Sequence, residues 1–450
     1  MVSNPTNRMM RLSTYRACIA VTILMMYACG KTRTDNKPNV IIIVADDLGY
    51  GGLSCYGDKN VRTPHVDKLA ANGLKFTDFH SNAPVCTPTR AALLTGRYQQ
   101  RSGMEGVIYV RGETRSLGLD TAELTLAEIM QQNGYATGLM GKWHLGYKNE
   151  FNPVYHGFDE FHGYLSGNID YHSHYDNAGI YDWWHNTDSV YEEGYSTDLI
   201  TDHAEKFIER HAAEPFFLMV THEAPHVPLQ GRKDPPYRFP GKSFSYQGST
   251  ENVSATYKEM VEVMDEGVGR IMAALKAYDL EEKTLVFFIS DNGAEPIGNN
   301  GMLNGAKGSL LEGGHRVPAI AYWKGRISPG ESSETLLTMD VLPTVLSLCN
   351  AGTPSSVVFD GIDFSSILFD GKGASTRRTV FWRYNKQKAA RNGKWKLWID
   401  QADTTLFNLE SDLGEIKDVS DDYPDIKRQL GDALIEWERS VGQPEAMKTL

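Results

Sequence analysis

Four continuous apolar, β-branched runs constrain this chain more than anything else in it. They are Asn39–Ala45 (NVIIIVA), 135–140, 215–221 (PFFLMVT) and Thr284–Ser290 (TLVFFIS). A run with no polar alternation suits a strand covered on both faces, as in a parallel sheet. Helical patterns fall between them, at 66–72, 89–95, 124–133, 196–209 and 255–278. Strands alternating with helices predict an α/β fold: a large, doubly wound, mostly parallel sheet flanked by helices. The 450 residues are enough for that domain and a smaller one.

The residues just past each run are equally informative. Asp46 and Asp47 come after the first, Lys142 and His144 after the second, His222 after the third, and Asp291 with Asn292 after the fourth. Ligands of open α/β sheets sit beyond the carboxyl ends of the strands, so four ends would deliver polar groups to one rim. Three carboxylates and an amide at one point repel unless a cation joins them. A set of hard oxygens without His or Cys favours Ca²⁺ or Mg²⁺ over zinc.

The net charge is −12, with 41% apolar and 23% charged residues. This argues against a nucleic-acid binder or an anionic-membrane binder. A site for an anion would need locally concentrated cations. Arg90, Lys142 and Lys307 are the candidates, each within a distinctive short run.

Cys86-Thr-Pro-Thr-Arg90 runs into Ala-Ala-Leu-Leu-Thr-Gly-Arg (91–97). Pro88 suits a first helical turn. Cys86 is therefore expected just before a helix N-terminus, where N–H groups and the dipole favour an anion. This run, with Gly-Lys-Trp-His-Leu-Gly (141–146), Lys307-Gly-Ser-Leu-Leu-Glu312-Gly-Gly and the acidic strand ends, resembles the type I sulfatases of the alkaline phosphatase superfamily. The resemblance runs from about residue 37 to the C-terminus.

The resemblance implies that Cys86 is oxidised by a maturation enzyme to formylglycine, whose hydrate is the nucleophile. One hydroxyl would attack sulfur, and the second would then lose its proton and expel sulfate. It implies a Ca²⁺ held by Asp46, Asp47, Asp291 and Asn292 and touching residue 86. Asp291 would also serve as base for the attacking hydroxyl. Arg90 and Lys142 would hold the hydrate and sulfate, and His144 would take the elimination proton. His222 and Lys307 would contact sulfate, either being the acid for the leaving oxygen, with His226 a nearby alternative. Thr89 departs from the commonest form of the signature, where Ser or Ala is frequent. Two rival readings are a phosphonate or phosphate ester hydrolase of the same superfamily, and a non-catalytic surface glycan-binding lipoprotein.

Two long segments, 147–195 and 229–254, lack strong periodicity. They suit either a sugar-lined cleft or loops packed on themselves. The stretch from Phe161 to His174 looks like a loop of sulfatases that act on sugar sulfates, including N-acetylgalactosamine-6-sulfatase-like members. It makes Asp170, His172 and His174 candidates for sugar contacts, with His226. The implied partner is a sulfated oligosaccharide.

At the N-terminus, Arg8, Arg11 and Arg16 precede an apolar run from Ala17 to Ala28, which fits a secretory signal. The run ends Met26-Tyr-Ala-Cys29-Gly, which looks like a bacterial lipobox. Residues 1–28 are expected to be a signal peptide and Cys29 a lipidation site, with 29–38 a linker. The expected location is the periplasm or surface of a Gram-negative bacterium, with a lipid anchor as the one membrane contact. Cys55 and Cys349 read as small buried hydrophobes. The catalytic domain is expected to span 39–375. Short alternating strands near 379, 394 and 405, then a helix from 426 to 441, predict a small antiparallel subdomain over 376–450.

Overall fold

The first of the apolar runs forms the centre of a ten-stranded sheet. This computed structural model describes residues 37–244, 248–249, 251–352, 357–370 and 378–442. The expected signal peptide and Cys29 lie outside them. The central strand, β1 (Asn39–Ala45), lies between β4 (Phe216–Thr221) and β5 (Thr284–Ser290), parallel to both. Next to β4 come β2 (Ala136–Lys142) and β3 (Glu160–Tyr164), also parallel. The pairs Trp184–His185 and Asp188–Ser189 close that edge antiparallel. On the other side β6 (Ala319–Tyr322) pairs antiparallel with β5, and Leu74–Phe76 and Gly330–Ser332 lie beyond it.

Alternation along β1 explains why the run had to be apolar throughout. Val40, Ile42 and Val44 enter one core cluster, and Ile41, Ile43 and Ala45 enter the other. All six are at most 1% exposed, and each isoleucine buried this way is worth about 1.5–3 kcal/mol of transfer free energy. One face is covered by α1 (Pro64–Asn72), α4 (Ser196–Arg210) and α5 (Val253–Ala277), whose apolar residues join the second cluster. The other is covered in part by α2 (Cys86–Thr95) and α3 (Leu126–Gln132). Thr125 starts α3 with a capping box: its hydroxyl accepts from the Glu128 N–H while the Glu128 carboxylate accepts from the Thr125 N–H.

Several strands were not visible as runs, and two of them show why. Strand β3 lies inside the segment that carried no periodicity, because His162 and Gly163 interrupt it. The terminal sheet has four antiparallel strands where three were expected: β7 (Thr379–Tyr384), β8 (Gln387–Asn392), β9 (Trp395–Asp400) and β10 (Asp403–Asn408). The extra one, QKAARN, is basic and poor in β-branched residues. It is held by the pairing of Ala389 with Trp382 and Trp398. The final helix, α6 (Pro424–Val441), packs on this sheet. Its core is shared with the main domain, since Ala92, Leu310 and Met339 belong to it.

Candidate active site

Strand register decides which acids meet. Ala45 pairs with Ser290, so Asp46 and Asp291 leave the sheet side by side, and the Asp291 N–H donates to the Ala45 carbonyl. The chain then turns sharply at Asp47, whose φ of 63° is left-handed. Such backbone in a residue with a Cβ is uncommon and clusters at functional sites. The turn aims the Asp47 N–H at Asp291 Oδ1 (3.3 Å) and Asp47 Oδ1 at the Asn292 amide (2.7 Å).

Cys86 is the first residue of α2 rather than the residue before it; Val85 is the cap. All ten residues of this helix are buried, Arg90 and three threonines among them, so it lies inside the fold on every side. Arg90, one turn on, lies on the same face as Cys86. Its Nε and Nη2 both donate to Asp291 Oδ2, at 3.0 and 2.8 Å, and Nη1 donates to the Lys142 carbonyl. Ligand atoms of Asp46, Cys86 and Asp291 fall within 4.8 Å of one another, and so do those of Asp46, Asp47 and His226.

Lys142 ends β2, buried, and donates to Asp46 Oδ2 at 2.5 Å. Gly141 before it has φ +116°, and a Cβ there would stand 2.1 Å from the Thr221 carbonyl oxygen, so this approach admits glycine alone. His144, at φ 59°, donates Nε2–H to the Ile108 carbonyl at 2.9 Å. Its Nδ1 therefore keeps the lone pair, is buried, and has no protein partner. The Ile108 N–H contacts the Thr87 hydroxyl at 3.3 Å, which ties this histidine to the start of α2. Lys307 donates to Asp47 Oδ2 (2.7 Å) and lies 3.2 Å from His226 Nε2.

The electrostatics arise from crowding. Burial and the neighbouring Asp291 charge push Asp46 well above the ordinary carboxylate range, against Lys142 and Arg90. Burial would also raise Asp47, but Lys307 and His226 outweigh it and hold that carboxyl low. Burial, then the Lys142 charge, press His144 well below the ordinary imidazole value, and burial with Lys307 does the same to His226. Burial pushes the Cys86 thiol up.

The donor set fits a hard divalent cation. Asp46 Oδ1 and Asn292 Oδ1 are buried oxygens with no hydrogen-bond partner. Leaving two such acceptors unmatched beside Asp47 and Asp291 costs free energy that an oxygen-seeking ion would recover.

The structure does not bring every candidate here. His222 points away from the cluster: its ring lies beside α5, about 3.5 Å from where a Cβ on Gly267 would be. Burial alone lowers it, to about 4, with no charged neighbour contributing. The imidazole that reaches Lys307 and Asp47 is His226, four residues later, once the chain has turned back. Asp170 is a fastener. Its carboxylate accepts from the backbone N–H groups of His172, Ser173, Tyr237 and Arg238 and from the Gln230 amide. His172 and His174 bond to the Gly231 and Gly194 carbonyls, and His174 stacks on Trp183. These three hold the long loops together, which is the self-packing alternative for those segments. Sequence reasoning also missed Gly167, where a Cβ would stand 2.7 Å from His144 Nε2. No pattern marks a glycine whose role is to make room for a ring 23 residues away.

Comparison with known proteins gives the family. A profile of the Sulfatase family matches residues 38–351. The chain is similar to arylsulfatase A of Bos taurus, 33% identical over 95% of this chain and 92% of that one. It is 34% identical to the N-acetylgalactosamine-6-sulfatase of Sus scrofa, over 83% and 74% of the two chains. The crystal structure of Ps i-CgsB in complex with k-i-k-neocarrahexaose superposes with a TM-score of 0.82, at 30% identity over 91% of this chain and 94% of that one. The chain belongs to the sulfatase family. It is a sulfuric ester hydrolase.

Proposed function

We propose that the protein removes sulfate from a sulfated carbohydrate, with residue 86 matured to formylglycine and one Ca²⁺ held by Asp46, Asp47, Asp291 and Asn292. The observation that carries this is the gathering of Arg90, Lys142, Lys307 and two depressed imidazoles around residue 86, beside two unmatched oxygens. The sugar class is supported by the relative that is an N-acetylgalactosamine-6-sulfatase and by the neighbour crystallised with a neocarrahexaose.

When bound, the ion would polarise the sulfuryl oxygens, and the matured residue 86 would supply the attacking hydroxyl. The chain does the rest. Arg90 and Lys142 place fixed positive charge where sulfate binds, in a site that excludes water. Asp291, beside residue 86, is positioned to take the proton of the attacking hydroxyl. His144 Nδ1, neutral and unpartnered, is the acceptor for the second proton. Lys307 and His226, in contact, are the pair from which the leaving oxygen takes its proton. Maturation implies a converting enzyme as partner. Export and lipidation at Cys29 complete the proposal, placing the enzyme where polymeric glycans are met. No helix among the described residues is long and apolar enough to cross a membrane.

The test is sulfate release by converted protein on a panel of defined sulfated oligosaccharides, with a phosphonate ester beside it, after mass spectrometry of the peptide containing residue 86. We expect the aldehyde mass and release from a sugar sulfate. Fully active enzyme with an unaltered thiol would overturn the nucleophile. Activity confined to non-sugar esters would overturn the substrate class.

A further inference from the structure

At the end of the sheet opposite the catalytic cluster lies a groove of about 780 Å³. That is within the size range of ligand pockets, roughly 300–1,000 Å³. Its walls are α1, the C-terminal part of α5 and the segment 322–329 at the end of β6. Strand β5 runs from this end towards Asp291, so seven residues at about 3.3 Å each put the two places on the order of 20 Å apart.

The groove's chemistry runs against the charge of the molecule. Lys68, Lys276, Lys324 and Arg326 line it, all exposed, and Glu281 is its one carboxylate. Glu281 is already paired with Lys324 at 2.8 Å. Lys68, Lys276 and Arg326 form no ion pair among the described residues. The lining thus carries four cations against one carboxylate in a chain whose net charge is −12. Leu69 and Ile327, both buried, give an apolar floor between these charges. Apolar floor with cationic rim matches a sugar ring bearing anionic esters. It matches a nucleic acid less well, because the rest of the surface would repel a long polyphosphate.

We infer that this groove is a second, non-catalytic binding site for a sulfated glycan chain. The inference rests on the sugar-sulfate reading of the catalytic site. One sugar cannot touch both places, but a polymer can. A chain held here would present its remaining sulfates to the catalytic rim at a raised effective concentration.

The test compares wild type with Lys68→Glu/Lys276→Glu in the full chain, using dextran sulfate as probe and uncharged dextran as control. The double variant should bind dextran sulfate about tenfold more weakly, and the wild-type affinity should fall steeply with added salt. Its unfolding midpoint and its sulfate release from a sulfated disaccharide should match wild type. Unchanged affinity for dextran sulfate, or equal binding of uncharged dextran, would overturn the proposal. Loss of a dimer with unchanged dextran sulfate affinity would overturn it too and give the groove to a second copy. Failure to release sulfate from any sugar would sink the catalytic reading, while the binding comparison would still decide on the groove.

Discussion

Two buried ion clusters among the described residues differ in what they leave unmatched. The catalytic one pairs Arg90, Lys142 and Lys307 with Asp291, Asp46 and Asp47, yet keeps Asp46 Oδ1, Asn292 Oδ1 and His144 Nδ1 without partners. The other joins the main domain to the terminal sheet. There Arg391 grips both oxygens of Asp78, His80 bonds Asp78, and Glu312 meets Arg316, Arg391 and Lys396. His80, Glu312 and His315 offer ligand atoms as close together as those of the catalytic acids. Lys396 Nζ already sits among them, 3.0 Å from Glu312 and 3.2 Å from His315. A cluster that supplies its own cation is a fastener; one that leaves oxygens bare is open to a ligand.

The sharpest way to break that contrast is to exchange activity loss for stability loss. Cys86→Ala should lower turnover by several orders of magnitude with no fall in the unfolding midpoint, because the thiol makes no essential contact. Cys86→Ser should transfer one sulfate and stall, read as a burst of a single equivalent. Lys396→Met should do the reverse. It strands Glu415, which Lys396 meets at 2.7 Å, and one oxygen of Glu312, whose other oxygen keeps Arg316 and Arg391, at a cost of about 3–5 kcal/mol by denaturant melts, while the fraction that stays folded keeps its kcat.

Chelation comes next. Removing divalent ions should abolish sulfate release and, for an ion at a hundred times its Kd, remove about 2.7 kcal/mol of stability. The Lys396 cluster should be indifferent, so an equal loss of stability in Asn292→Ala before and after chelation would contradict the ion assignment.

A smaller effect separates the two histidines after β4. His226→Ala should cut kcat/KM by about 10²–10⁴, the range for a lost acid. His222→Leu should leave it near wild type, and the opposite ranking would return His222 to the site. The smallest effect is on pH. His222 and His174 titrate near 4 in the fold, depressed by burial from about 6.5. The unfolded state therefore takes up protons first, so their contribution is complete above about pH 6.5 and declines as pH falls towards 4. Melts of His222→Leu should show a shallower decline over that window.

How much of this was legible beforehand varies with range along the chain. The strands, the acids after them and the Cys86 helix were read correctly to within a few residues, because burial on both faces demands continuous apolar sequence. Asp46 and Asp291 were expected together since strand ends share a rim. Asp170 was misread because an acid that accepts several backbone N–H groups looks, in sequence, like an acid that binds a ligand. His222 was misplaced because the direction of a side chain just past a strand depends on the next turn, and Pro225 and Pro228 shape that turn.

By itself, then, the sequence determined the layered sheet, the rim on which polar groups collect and the residue types gathered there, since these come from periodicity and from the strand-end rule. Only the tertiary structure decided which of two imidazoles meets Lys307, that Gly167 makes room for His144, and that Lys396 saturates one cluster while the other stays open. Those outcomes depend on contacts between residues up to 245 positions apart, such as Asn292 on Asp47, and no local pattern encodes a distance of that kind.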